Sequence, residues 1–180
     1  MSLTDDTHAL IRAHFKLAPT LLAVDATCGN GHDTAFLIEL GFDNVFAFDI
    51  QALAIEATRE RLGSNTSLIL IKDSHANLSA YIQRPIDCLM FNFGYLPMGD
   101  KRITTTSESS LSALKAGLER LSAHGLISLM CYPGHPAGAD ETQAIKGWLS
   151  NLDTESWLIE THLAASPKPT APVLYLIKRR

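Results

Sequence analysis

"VDATCGNGHDT", residues 24–34, sets a carboxylate where an apolar stretch runs into a glycine-rich turn. The preceding Leu21-Leu22-Ala23-Val24 has the pattern of a buried strand, and Gly29 and Gly31 allow a backbone to approach a ligand closely. A loop built to cradle a phosphate offers N–H groups and positive charge. Asp25 offers the opposite. The ligand expected beyond this strand is therefore not a bare pyrophosphate.

Outward from that turn, apolar strands alternate with helical periodicity along nearly the whole chain. Residues 32–40 read as a helix stopped by Gly41, and Val45-Phe46-Ala47-Phe48 as a second strand. Ala54, Ile55, Thr58 and Leu62 share one face of the next helix, which Gly63 ends. Leu68-Ile69-Leu70-Ile71 and Ile86-Asp87-Cys88-Leu89-Met90-Phe91 are the third and fourth strands. Leu111, Leu114, Leu118 and Leu121 keep a helical period up to a stop near Gly125, and Leu126-Ile127-Ser128-Leu129-Met130 follows as a strand. A short helix over 144–149 leads to closing strands at Trp157-Leu158-Ile159-Glu160 and Val173-Leu174-Tyr175-Leu176-Ile177.

Continuous apolar strands alternating with amphipathic helices predict a parallel sheet covered on both faces. The closing pair lacks room for a crossover helix, so an antiparallel strand is expected there. The predicted fold is α/β and Rossmann-like, a mostly parallel seven-stranded sheet with one antiparallel strand. One domain is expected over residues 1–180, with 1–18 as an N-terminal helical extension.

The chain has 180 residues, 46% hydrophobic and 19% charged, which is the composition of a soluble globular protein. No apolar run approaches a membrane span, and the N-terminus lacks the basic and apolar regions of a signal peptide. Cys28, Cys88 and Cys131 are odd in number and widely spaced, which predicts reduced thiols in a cytoplasm without zinc or a disulfide framework. No metal site is expected. The net charge of −4 gives no general attraction to nucleic acid, so DNA is not expected as a partner and any RNA contact must be local.

In doubly wound sheets, ligands sit beyond the carboxyl ends of the strands. Those ends carry Asp25 with Thr27, Gly29, Asn30 and Gly31, then Asp49 with Gln51, Asp73-Ser74-His75, Asn92-Phe93-Gly94-Tyr95, and Tyr132-Pro133-Gly134-His135. Asp49 follows the second strand, where a carboxylate can accept both hydroxyls of a ribose. NAD and S-adenosylmethionine (SAM) share that need. Three details separate them. Thr34 stands in place of the third glycine of the dinucleotide fingerprint. Asp25 repels a pyrophosphate and favours the sulfonium and ammonium of SAM. Asp73 can accept from an adenine amine. SAM is the expected cofactor.

Plainer readings exist for each group. A glycine turn after a strand is often only a turn, Asp33 can complement a helix dipole, and Asp49 can be the N-cap of its helix. Their joint placement at the strand ends is what favours the cofactor, with Asp33 and Thr34 included in its site.

The patterns D-A-T-x-G-N-G-x-D-T, F-D-I-Q-x-x-A-I, N-x-G-Y-L-P-x-G-D-K, T-T and Y-P-G-H, spread over residues 23–141, resemble the YtqB/MnmM group. These are small class I SAM-dependent methyltransferases long labelled rRNA methylases. The resemblance implies the class I methyltransferase fold and a homodimer. It also implies methylation of a 5-aminomethyl group on a tRNA wobble uridine, usually 2-thiolated. The chain departs from the family at Ser166-Pro167-Lys168-Pro169-Thr170-Ala171-Pro172, where the group carries an Asn-rich stretch before a Pro-Pro pair.

The residues support an amine acceptor in kind. Asn92-Phe93-Gly94-Tyr95 sits where amine methyltransferases place an N/D-P-P-Y/F segment, with Asn92 and Tyr95 as catalytic candidates. An alkylamine with a pKa near 10.4 is only about one-thousandth neutral at pH 7, so a proton acceptor is needed. His135, Asp100 and Tyr95 are candidates, and His135 equally suits a role in satisfying loop backbone groups. Tyr95, His135, Lys101 and Arg102 are candidate substrate contacts, the basic pair for a phosphate. Cys131 reads as a buried thiol and Lys178-Arg179-Arg180 as a solvated tail. Methylation of rRNA or of a small-molecule amine, or SAM binding without catalysis, remain alternatives.

Overall fold

The computed structural model describes residues 3–18, 20–94, 105–164 and 168–180. The chain runs α1 (Leu3–His14), β1 (Leu22–Asp25), α2 (His32–Glu39), β2 (Asn44–Phe48), α3 (Ala52–Leu62) and β3 (Leu68–Ile71). A 3-10 turn (His75–Asn77) and α4 (Leu78–Tyr81) lead to β4 (Ile86–Asn92), α5 (Ser107–Glu119), β5 (Leu121–Cys131), α6 (Pro136–Ser150), β6 (Trp157–Leu163) and β7 (Val173–Arg179). The strands form one seven-stranded sheet in the order β3-β2-β1-β4-β5-β7-β6. All pairs from β3 to β5 are parallel, and β7 is antiparallel to both neighbours. The order reverses between β1 and β4, which opens a crevice at their carboxyl ends.

Alternating side chains divide the core into two layers. Leu89 and Phe91 of β4 face Leu114, Ile145 and Leu149 of α5 and α6, while Cys88 and Met90 face Ile11, Phe36 and Leu37 of α1 and α2. Ile55 of α3 packs on Ala47 and Cys28. The sheet is therefore covered on both faces, as its unbroken apolar strands predict.

Several elements depart from expectation. Leu121 extends the rhythm of Leu111, Leu114 and Leu118, yet it opens β5 opposite Ile86. The register then shifts so that Cys88 faces Leu126, and Gly125 lies inside the strand. A Cβ at Gly125 would come within 2.6 Å of Leu121 Cγ and 2.9 Å of the Ile86 carbonyl oxygen. This glycine serves a bulge, not a helix stop. Helix α6 begins eight residues before the expected 144, with Pro136 in its first turn and the His135 side chain accepting the Gly138 N–H. The 3-10 turn and α4 carry too few residues for a periodic signal. The basic C-terminus is held on β7 although Arg179 and Arg180 are exposed. Lys178 Nζ donates to Glu160 at 2.7 Å, Arg179 lies 4.7 Å over the Trp157 ring, and Arg180 donates to the Thr154 carbonyl at 2.6 Å.

Candidate active site

The loop between β1 and α2 is pinned from two sides. The Cys28 N–H donates to the Phe48 carbonyl at 2.9 Å and the Gly29 N–H to Asp49 Oδ2 at 3.1 Å, tying the loop to the end of β2. From α3, Thr58 Oγ1 donates to the Gly29 carbonyl at 3.1 Å and Arg61 Nε to the Asn30 carbonyl at 2.6 Å. Gly31 has φ +77°, and a Cβ there would lie 3.0 Å from the Thr58 side chain. Glycine meets both demands at once.

Above this loop opens a cavity of about 750 Å³, lined from the ends of β1, β2, β3, β4 and β5. Asp49 is on its wall. Its Oδ1 accepts the Gln51 N–H at 2.9 Å, and burial raises its pKa while those N–H groups lower it. The N-cap residue of α3 is Gln51 rather than Asp49. Thr27, Gly29, Asn30 and Gln51 also line the cavity.

Asp25 and Thr34 lie one layer behind the wall. Thr34 Oγ1 donates to Asp25 Oδ2 at 2.6 Å and the Thr27 N–H to Oδ1 at 3.2 Å. Burial, with repulsion from Asp33 second, pushes the Asp25 carboxyl up to about 7. Asp33, in the first turn of α2, is the carboxylate that reaches the cavity from this side. Its Oδ1 is 2.7 Å from His8 Nε2, and its Oδ2 accepts from Asn92 Nδ2 at 3.3 Å. His8 is held flat on Phe36, with centroids 3.9 Å apart and ring planes 2° apart. The Asn92 N–H donates to Thr27 Oγ1 at 2.7 Å, so the β1–α2 loop and the end of β4 are tied together.

At the β3 end, Asp73 accepts from Ser74 N at 2.7 Å, Asn77 Nδ2 at 3.0 Å and Tyr81 Oη at 2.8 Å, bonds that lower its pKa. Most of its acceptor capacity is used within the protein. Ser74 caps the 3-10 turn. His75 is buried, its Nδ1 is 3.0 Å from the Ala26 carbonyl, and Nε2 has no partner. Burial lowers its pKa, so the ring is neutral with the proton on Nδ1 and a lone pair on Nε2. His135 shows the opposite arrangement. Its Nδ1 accepts the Gly138 N–H at 3.1 Å, which leaves Nε2 as the protonated nitrogen.

Tyr95, Asp100, Lys101 and Arg102 lie outside the described residues. Thr4, His8 and Ser109 join the wall without having been singled out by motif, beside Thr105 and Tyr132 of the T-T and Y-P-G-H patterns. His8 was hidden because residues 1–18 read only as a helical extension. A polar residue facing an apolar ring at Phe36 is not visible until α1 and α2 pack. Among the described residues no group of three or more His, Cys, Asp or Glu is placed to hold a metal ion. No helix among them is long and apolar enough to cross a membrane. Cys131 is buried and its thiol pKa is pushed up to about 12 by burial, as suits an inert core thiol.

A sheet of this order, with a glycine turn after β1 and a carboxylate after β2 on one cavity, defines a class I methyltransferase fold. The family described as "Putative rRNA methylase" matches residues 45–178, and the chain belongs to that family. It is similar to a chloroplastic tRNA (mnm(5)s(2)U34)-methyltransferase of Arabidopsis thaliana, 36% identical over 172 residues. That match covers 87% of this chain and 62% of the plant protein, so the chain spans about three-fifths of its relative's length. Among solved structures it is similar to a "putative rRNA-methylase" from Clostridium thermocellum, 34% identical with a TM-score of 0.91, covering 98% of this chain and 97% of the other. It is also similar to a "putative methyltransferase" from Streptococcus mutans in complex with SAH, 32% identical with a TM-score of 0.84, covering 96% and 97%.

Proposed function

We propose that this protein is a SAM-dependent N-methyltransferase acting on the 5-aminomethyl group of a tRNA wobble uridine. The observation that carries the reading is one cavity with Asp49 at the end of β2 and the Asn92–Asp33–His8 chain at the end of β4. Asp49 suits a ribose, and Thr27, Gly29, Asn30 and Gln51 border the same space. His75 Nε2 is a buried acceptor suited to an adenine N–H, with Asp73 and Ser74 beside it. Asp33 contributes charge at the wall, and Asp25 acts from behind it through its field. Bound there, SAM supplies an electrophilic methyl on a sulfonium.

On the acceptor side, Asn92 orients the amine and Gly94 leaves room for it. The chain must also take up the proton of an ammonium group. A neutral His8 ring that donates from Nε2 to Asp33 holds a lone pair on Nδ1. That makes the pair a proton acceptor, whereas His135 as placed caps α6 and presents a donor. The tRNA reading draws on the similarity to the Arabidopsis enzyme, and Tyr95, Lys101 and Arg102 are the contacts the motifs offer for the nucleotide. The family resemblance supports a homodimer, and the three buried free thiols suit a reducing compartment such as the cytoplasm.

The test is incubation of the protein with labelled SAM and tRNA from a strain lacking the modification, followed by nucleoside mass spectrometry. Methylated 5-aminomethyl uridine is the expected product. Label in rRNA, in a small amine, or nowhere would replace this reading by one of its alternatives.

A further inference from the structure

Glu141 of α6 is a carboxylate only 2% exposed, and hydroxyls take both of its oxygens. Ser110 Oγ donates to Oε1 at 2.5 Å and Thr105 Oγ1 to Oε2 at 2.7 Å. Having given its proton to Glu141, the Thr105 hydroxyl accepts the Gly94 N–H at 3.1 Å. The Thr105 N–H then returns a bond to the Gly94 carbonyl, also at 3.1 Å. Gly94 follows Asn92 by two residues, and its φ of +134° lies where only glycine is at ease. The Phe93 N–H between them donates to the Met130 carbonyl at 3.0 Å.

We propose that Glu141 is a positioning residue for the acceptor wall, acting through Thr105 to hold Gly94 and, through it, the setting of Asn92. The argument rests on what a hydroxyl does. A threonine rotor can aim its proton at several acceptors, and Glu141 decides the direction. With the hydroxyl proton aimed at Glu141, the oxygen lone pairs face Gly94, and one side-chain and one backbone bond lock residues 94 and 105 together. Ionised carboxylates are costly to bury, and apolar residues of similar size commonly serve packing at least as well. Burial accordingly raises the Glu141 pKa, opposed by Ser110, Thr105 and nearby His135. The reacting amine tolerates little misplacement: an ångström can cost on the order of a hundredfold in rate.

This inference rests on the N-methyltransferase reading, and its test separates the two. Thr105→Val, Thr105→Ser, Glu141→Ala and Glu141→Gln are compared with the wild type for turnover, SAM affinity, and hydrogen exchange at the Gly94 amide in the SAH complex. Valine and alanine are expected to speed Gly94 exchange and lower kcat at least about tenfold, with SAM affinity within about twofold. Serine and glutamine restore a hydroxyl or an acceptor and are expected to recover most of both. Unchanged Gly94 exchange in Thr105→Val overturns the proposal. So does faster exchange with unchanged kcat, or equal loss of SAM affinity and turnover. If the wild type modifies no tRNA, the functional reading fails, and the exchange data still decide whether Glu141 fixes Gly94.

Discussion

Thr34 Oγ1 donates a hydrogen bond to Asp25 Oδ2 at 2.6 Å, beneath the β1–α2 loop and out of contact with solvent. The residue that replaces the third glycine of a dinucleotide fingerprint thus satisfies the carboxylate that would repel a pyrophosphate. One consequence is measurable. Burial, with repulsion from Asp33 second, raises the Asp25 carboxyl from 3.8 to about 7 against the Thr34 bond, so the folded state binds the carboxyl proton more tightly than the unfolded chain does. The contribution of Asp25 to stability is fully present below about pH 4 and is lost as pH rises through about 7. Asp25→Asn removes the titration. Its stability relative to wild type is expected to climb between pH 4 and 7 and then level off, as read from urea midpoints. A pH-independent difference would show that Asp25 does not titrate in this window.

Asp49 carries two tasks that the sequence alone merges. Its Oδ2 holds the Gly29 N–H and its Oδ1 the Gln51 N–H, so it shapes the loop as well as facing the cavity. Asp49→Ala is expected to weaken SAM binding by about 10- to 100-fold, the range of one charge-assisted hydrogen bond. Asp49→Asn keeps one acceptor and should fall between. Calorimetry with SAM checks both, and unchanged affinity in the alanine variant would remove Asp49 from the cofactor site.

Much of this site is legible in the sequence because strand ends in a doubly wound sheet converge by topology. Asp49, Asp73 and Asn92 need only their strands to be recognised for their shared location to follow. What escapes is whatever depends on packing between helices or on a single hydrogen bond. Asp25 and Asp33 are eight residues apart with the same chemistry, yet one is turned inward by Thr34 and the other outward toward His8. Gly125 and Gly63 both follow helical periods that end in a leucine, and only the register of β5 against β4 tells a bulge from a stop. His75 and His135 are both histidines at strand ends that meet the backbone through Nδ1, separated by whether that partner is a carbonyl or an N–H.

Gly31 offers a test of the loop rather than of the chemistry. Its φ of +77° is disfavoured for any L side chain, and its Cβ would press on Thr58 at 3.0 Å. Gly31→Ala is expected to cost about 1–3 kcal/mol of stability. It should also displace the loop from α3 and weaken SAM binding. Substituting Ala at Gly41, where φ is +95° but nothing lies within 4 Å, isolates the backbone part of that cost. Equal losses at the two positions would mean that contact with Thr58 is immaterial.

The His8–Asp33–Asn92 chain separates proton transfer from alignment. His8→Ala removes the proposed acceptor, and Asn92→Ala removes the group that orients the amine, while Asp49 and its loop are untouched in both. Each variant is expected to lose turnover on modification-deficient tRNA. Their responses to pH should differ. The neutral fraction of an amine with a pKa near 10.4 rises about tenfold per pH unit between 7 and 9, and this replaces part of what an acceptor supplies. Turnover by His8→Ala, relative to wild type, should therefore recover as pH rises. Asn92→Ala only misplaces the nucleophile, and its deficit should stay constant across the same range. The measurement is single-turnover rate against pH with SAM saturating. A constant deficit for His8→Ala would assign His8 to holding Asp33 in place and return the search for the proton acceptor to Asp100 and Tyr95.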